Sequence, residues 1–172
     1  MSVDAGDEAT TDPEDARELG AEFRRLLMTY QFGVDEVMTK IMILRKEFHH
    51  IHEYNPIEHV GSRLKSLESI AAKAHRRGIP LTPSAVRDSL FDIGGVRVTC
   101  SFISDIYRMR DLLIGQRDVT LLQEKDYIAA PKGNGYKSLH LIVSVPVFLS
   151  DRVEQVVVEI QLRTIAMDFW AS

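Results

Sequence analysis

Cysteine is almost missing from these 172 residues: Cys100 stands alone, which excludes an intramolecular disulfide and agrees with a reducing compartment. No apolar run approaches the ~18 residues of a transmembrane helix, so no membrane span is expected. The opening residues, Met1-Ser-Val-Asp-Ala-Gly-Asp-Glu8, are acidic and polar and lack the pattern of a secretory signal. A surplus of basic charge is missing too. Lys and Arg number 21 against 25 Asp and Glu, a net charge of −4, so bulk charge makes no case for nucleic acid and no DNA partner is expected. Together these absences point to a cytoplasmic globular protein, and the length suits one domain with its own core.

Charge is unevenly spread. Residues 1–22 hold eight acids and one base, whereas the remaining 150 residues hold 17 acids and 20 Lys or Arg. Residues 1–13 are expected to be an acidic, disordered leader on a mildly basic domain over 14–172. From about Asp15 to His50 apolar residues recur at helical spacing (Leu19, Phe23, Leu26, Leu27, Tyr30, Val34, Val37, Ile41, Leu44 and Phe48), with Gly33 expected to divide them into two helices. Asn55-Pro56 reads as the cap and first turn of a third helix running to about Arg77 and stopping at Gly78. Pro83 opens a short helix to Leu90, and Ser104 caps another over 104–115.

After Asp92 the period falls to two. Strands are expected over 94–102, 118–124, 138–148 and 154–163, followed by two helical turns capped by Thr164. Strands interleaved with helices after a helical start predict an α+β fold. The closing helix carries Met167 and Trp170 with nothing to pack them, so a continuation beyond Ser172 is expected.

The strands carry the first chemical signal. Val156, Val158, Ile160 and Leu162 alternate with Glu159, Gln161 and Arg163, just as Leu139 and Leu141 alternate with His140, and Val96 and Val98 with Arg97. A solvated strand face and a polar cleft both satisfy one such strand. Three of them in one sheet would gather Arg97, His140, Glu159 and Gln161 on one concavity. The run Lys125-Asp-Tyr-Ile-Ala-Ala-Pro-Lys-Gly-Asn-Gly-Tyr-Lys-Ser-Leu-His140 adds charge for phosphates, glycines for close approach and tyrosine faces for a base. Asp92, before Ile93-Gly-Gly95, either turns the chain or joins Glu159 in holding Mg²⁺. Arg63, Lys65, Ser69, Lys73, Arg76 and Arg77 form a basic stretch that serves as a solvated face or faces a nucleotide. His49, His50 and His52 lack zinc-ligand spacing and read as helix-end residues, and Cys100 reads as core.

Asn55 to Ile70, Asp92-Ile-Gly-Gly-Val-Arg97, Lys125 to His140 and Glu159-Ile-Gln-Leu-Arg-Thr-Ile-Ala-Met-Asp-Phe-Trp170, in that order, resemble the synthetase domain of the RelA/SpoT family, and within it the single-domain small alarmone synthetases. The resemblance implies a nucleotidyltransferase-like mixed β-sheet flanked by helices, with N-terminal helices. It implies transfer of the β,γ-pyrophosphate of ATP to the ribose 3′-hydroxyl of GTP or GDP, with Mg²⁺ as cofactor. By position, Asp92 and Glu159 resemble the metal carboxylates, with Glu159 taking the 3′-hydroxyl proton. Arg63 and Arg97 resemble the arginines that sandwich adenine, with Lys65, Ser69 and Lys73 on the ATP side. Tyr136 matches the residue that stacks on guanine, and Lys125, Lys132, His140 and Gln161 match positions around the GTP phosphates and ribose. A homo-oligomer, a tetramer by resemblance, is implied, with an alarmone as allosteric ligand. Lys125 stands where relatives often have Arg, and the family's closing helix continues past Trp170. No His-Asp dipeptide occurs, so synthesis without hydrolysis is expected. A regulator that binds nucleotide or RNA without catalysis has no need of both acids. Other nucleotidyltransferases show Gly-Ser followed by paired Asp, which this sequence lacks.

Overall fold

Phe23, Leu26, Tyr30, Val34, Val37, Ile41 and Phe48 recur along one side of a helix, and all are buried. In the computed structural model, which describes residues 12–171, they belong to one uninterrupted helix, α1 (Pro13–Ile51). Asp12 caps it by accepting the Glu14 N–H at 3.1 Å, and Pro13 fills the first position, so the helix starts two residues earlier than expected. Residues 1–11 of the expected leader lie outside the described residues. The expected break at Gly33 does not occur. A Cβ there would stand 2.5 Å from Val156 Cγ1, so this glycine serves the close approach of helix and sheet rather than a helix end.

Residues 57–64, expected to be helical, form strand β1 (Ile57–Leu64). Asn55 Oδ1 accepts the Ile57 N–H at 3.0 Å, a local turn that mimics a helix cap, and the segment then pairs antiparallel with β2 (Gly94–Cys100). The helix starts later, as α2 (Leu67–Arg77), capped by Ser66 and stopped as expected by Gly78 at φ +65°. Thr82 caps α3 (Pro83–Ser89). After β2 comes α4 (Ile103–Ile114). Its first turn is closed by Asp105 accepting the Phe102 N–H at 3.1 Å, not by Ser104. The remaining elements are β3 (Thr120–Asp126), β4 (Leu139–Phe148), β5 (Val153–Thr164) and α5 (Ile165–Ala171). Thr164 does cap α5, accepting the Met167 N–H at 3.3 Å.

The five strands make one mixed sheet in the order β1-β2-β5-β4-β3, in which only β2 and β5 run parallel, and the fold is α+β as expected. Val96, Val98, Leu139, Leu141, Val143, Val158, Ile160 and Leu162 form its covered face, packed by Val34, Val37 and Ile41 of α1 and Ile106, Met109 and Leu113 of α4. A second, smaller core docks α2 and α3 on the first half of α1 through Phe23, Leu26, Tyr30, Ile70, Val86, Leu90 and Ile93. Sliding any strand by one residue would expose its whole buried set, so the apolar alternation fixes the register. Among the described residues no helix is long and apolar enough to cross a membrane.

Candidate active site

Register lines up one position from each strand across the open face of the sheet. Gly61 stands opposite Arg97, Arg97 opposite Gln161, Gln161 opposite His140, and His140 opposite Lys125. In the adjacent row Arg63 faces Gly95, and Gly95 faces Glu159. Side chains paired in register share a face, so Arg63, Arg97, Glu159, Gln161, His140 and Lys125 are collected on one side although they span nearly a hundred residues of sequence. A cavity of about 230 Å³ opens on this face, with Arg63, Arg97, Glu159, Gln161 and Asp168 in its wall.

On the β1–β2 side each arginine stands opposite a glycine, Arg97 against Gly61 and Arg63 against Gly95. The strip between the two guanidinium groups is therefore floored by backbone, a shape that admits a flat ring between two cations. Beside this strip the ladder continues with the Lys65 N–H donating to the Ile93 carbonyl at 2.8 Å. That contact brings Lys65 to Asp92, whose Oδ2 accepts from Lys65 Nζ at 2.9 Å and from Lys73 Nζ at 2.6 Å. Burial pushes the Asp92 carboxyl up, but the hydrogen bonds and charges of Lys73 and Lys65 outweigh it and hold the pKa at about 2. Its other oxygen, Oδ1, is buried and accepts no hydrogen bond from the described residues. Asp92 is not in the wall of the cavity that Glu159 lines. Ser69 sits in the first turn of α2, where its hydroxyl accepts from Ser66 Oγ at 3.0 Å.

On the β4–β3 side the segment 127–138 folds on itself. Asp126 Oδ1 accepts from the Ile128 and Ala129 N–H groups at 3.0 Å, and Asn134 Oδ1 accepts from the Tyr136 N–H at 3.1 Å. Gly135 takes φ +83°, a conformation other residues adopt at a cost. The turn presents Tyr136, whose Oη lies 2.9 Å from His140 Nε2 and accepts from Arg163 Nη2 at 2.7 Å. Lys132 Nζ lies 4.7 Å from the centre of the Tyr127 ring and 5.3 Å from that of Tyr136. Burial, then the charges of Arg163, Lys132, Lys125 and Arg97, push the His140 imidazole down to about 4, so it is neutral at pH 7. Tyr136 Oη thus accepts from Arg163 while it shares a hydrogen bond with His140 Nε2, whose direction follows the imidazole tautomer.

Between the two sides, Gln161 Nε2 donates to Glu159 Oε1 at 2.6 Å, and Gln161 Oε1 accepts from Arg163 Nη2 at 2.9 Å. The expected site residues thus separate into three groups: Arg63, Arg97, Glu159 and Gln161 at the cavity, Tyr136, His140, Lys125 and Lys132 at the far strands, and Lys65 and Lys73 held on Asp92. Sequence reasoning placed Arg163 on the polar face of its strand without assigning it to the site, and passed over Asp168. The first was visible as the next outward position after Glu159 and Gln161. The second had no local signal, because its partners Arg163 (3.4 Å) and Arg97 (3.6 Å) lie on other elements. Among the described residues no three His, Cys, Asp or Glu gather around a metal position; Glu159 and Asp168 are the acids in the cavity wall, and Asp92 lies outside it. Cations at both ends, an aromatic face and a central carboxylate suit ligands that carry phosphates and flat bases.

The family described as "Region found in RelA / SpoT proteins" matches residues 62–172. The chain is 47% identical over 166 residues to the GTP pyrophosphokinase YwaC of Bacillus subtilis (strain 168), covering 96% of this chain and 79% of that protein. Among solved structures it resembles small alarmone synthetase 1 from Bacillus subtilis bound to its product pppGpp, with TM-score 0.81, 37% identity and 87% and 76% of the two chains covered. The same enzyme bound to AMPCPP gives a TM-score of 0.74 at 32% identity, covering 88% and 74%.

Proposed function

The chain belongs to the RelA/SpoT family, and from that premise we infer that it is a GTP pyrophosphokinase. It moves the β,γ-pyrophosphate of ATP to the ribose 3′-hydroxyl of GTP or GDP, producing pppGpp or ppGpp and AMP. One observation carries the reading of the site: the strand register sets Glu159 between a two-arginine strip and a tyrosine platform. Arg63 and Arg97 hold the adenine of ATP, and Lys65, Ser69 and Lys73 lie on its phosphate side. Tyr136 stacks on guanine, with Lys125, Lys132, His140 and Gln161 around the phosphates and ribose of the acceptor. The binding of pppGpp and AMPCPP to a relative of the same fold supports two nucleotide half-sites.

Transfer proceeds by in-line attack. The 3′-oxygen bonds to the β-phosphorus, the bond from that phosphorus to the α,β-bridging oxygen breaks, and AMP leaves with the electron pair. Glu159 takes the hydroxyl proton, so it must come within hydrogen-bond reach of that oxygen. Positioning and charge neutralisation carry the rest of the acceleration. The bare, buried Asp92 Oδ1 fits a Mg²⁺ ion, which Asp92 and Glu159 would hold and which would neutralise phosphate charge. Cytoplasmic location, a homotetrameric assembly and an alarmone as allosteric ligand are proposed on the family resemblance alone, and no hydrolysis is expected from these 172 residues. Incubation with ATP, GTP and Mg²⁺ should yield AMP and pppGpp in equal amounts. Absence of both products from a folded sample overturns the assignment.

A further inference from the structure

Tyr136 and Gln161 are held by the same guanidinium. Arg163 is buried, 5% exposed, and its donors reach side chains on three segments: Nη2 to Tyr136 Oη (2.7 Å) and Gln161 Oε1 (2.9 Å), Nη1 to Asp168 Oδ1 (3.4 Å) and Nε to Ser138 Oγ (3.4 Å). We propose that Arg163 is the positioning residue of this site, setting the guanine platform through Tyr136 and the catalytic carboxylate through Gln161 without itself touching either nucleotide. The roles of Tyr136 and Glu159 rest on the pyrophosphotransferase reading above.

Two arguments from the hydrogen bonds support the assignment. A primary amide is nearly symmetric in shape, and Gln161 would be free to present either end to Glu159. Arginine has donors only, so the end facing it must be Oε1, and Nε2 is then left for the carboxylate at 2.6 Å. A flipped amide would set two acceptors against each other at Glu159. Tyr136 is tied on both sides, its Oη accepting from Arg163 and hydrogen-bonded to His140 Nε2. The guanidinium also lies 5.2 Å from the ring centre, backing the platform. Burying a guanidinium is costly unless it is paired, and Asp168 supplies the opposite charge. Lysine in its place would keep the charge and lose the planar fork that reaches four acceptors.

The test is a steady-state comparison of R163Q, R163K, Y136F and the double variant R163Q/Y136F, with ATP and GTP varied separately. A misplacement of about 1 Å costs roughly 10²-fold, so R163Q and R163K should lose about that much in kcat/KM for GTP while KM for ATP stays within about twofold. The two losses should not add, because Y136F removes one arm of the same device. R163K retains the charge and guards against misfolding of R163Q, with the thermal melt as control. Full additivity with Y136F, or wild-type kinetics in R163K, overturns the proposal. An equal rise in KM for ATP and for GTP does the same, since it marks a merely structural arginine. If the wild-type protein makes no product, the functional reading fails on its own. In that event NMR of the Tyr136 ring and the Gln161 side-chain amide still decides: both sets of signals should shift or broaden in R163K, and unchanged signals overturn the positioning role.

Discussion

The two sides of the open sheet face are prepared to different degrees. On the β4–β3 side Tyr136 and His140 are tied to each other and to Gln161 and Arg163 of β5 by hydrogen bonds of 2.7–2.9 Å. On the β1–β2 side Arg63 makes no side-chain hydrogen bond or ion pair with the described residues, and Arg97 has a 3.6 Å contact to Asp168. An acceptor hydroxyl must be aimed, which calls for a platform already oriented. On the proposed reading, adenine between two cations needs only a gap of the right width. The lesson is that order is spent where direction matters.

The largest effect expected is at the join. Glu159→Gln should lower kcat by about 10²- to 10⁴-fold, the usual contribution of a general base, with both nucleotides still binding by calorimetry. Retained turnover would remove Glu159 from its assigned role. Next, Tyr136→Ala should raise KM for GTP by roughly five- to 150-fold, the equivalent of ~1–3 kcal/mol of base stacking, and leave KM for ATP alone. Arg63→Ala should act in reverse and more weakly. Cation–π contacts of ~0.5–2 kcal/mol predict a KM for ATP roughly two- to 30-fold higher, with GTP unaffected. If both variants moved both constants together, the contrast between the two sides would collapse.

Apart from these effects on rate and binding, a stability effect belongs to the ordered side: a dependence on pH. His140 is held at about 4 in the folded protein, below its ordinary value of 6.5. Between those values the unfolded chain binds a proton that the folded one does not, so stability rises with pH there. The ligand-free protein should therefore lose stability as pH falls from about 6.5 toward 4, and His140→Gln should flatten that slope in thermal melts. An identical slope in the variant would place the titration elsewhere.

Local pattern made some of this molecule readable and left the rest to long-range pairing. Alternation exposed the outward faces of β2, β4 and β5, because a strand buried on one side must alternate. Gly78, Thr164 and Pro83 announced their turns for equally local reasons. β1 was misread because an Asn side chain that accepts an N–H two residues on looks the same whether a helix or a strand follows, and the deciding partner, β2, lies over thirty residues away. Gly33 failed in the opposite sense. Its lack of a side chain was legible, but the reason is Val156 on a distant strand. The attachment of Lys65 and Lys73 to Asp92, and of Arg163 to Asp168, likewise depends on which elements meet.

The line from Gly61 through Arg97, Gln161 and His140 to Lys125 runs across the strands rather than along them. Neighbouring strands lie about 4.8 Å apart, so its five positions span roughly 19 Å. Such a line behaves as a graduated scale whose marks are spaced by backbone hydrogen bonds instead of by loops. Exchanging the residue at one mark changes what is read there while its neighbours keep their stations. New ligand preferences on this scaffold are therefore reached by single exchanges, with the distance between the two nucleotides left untouched.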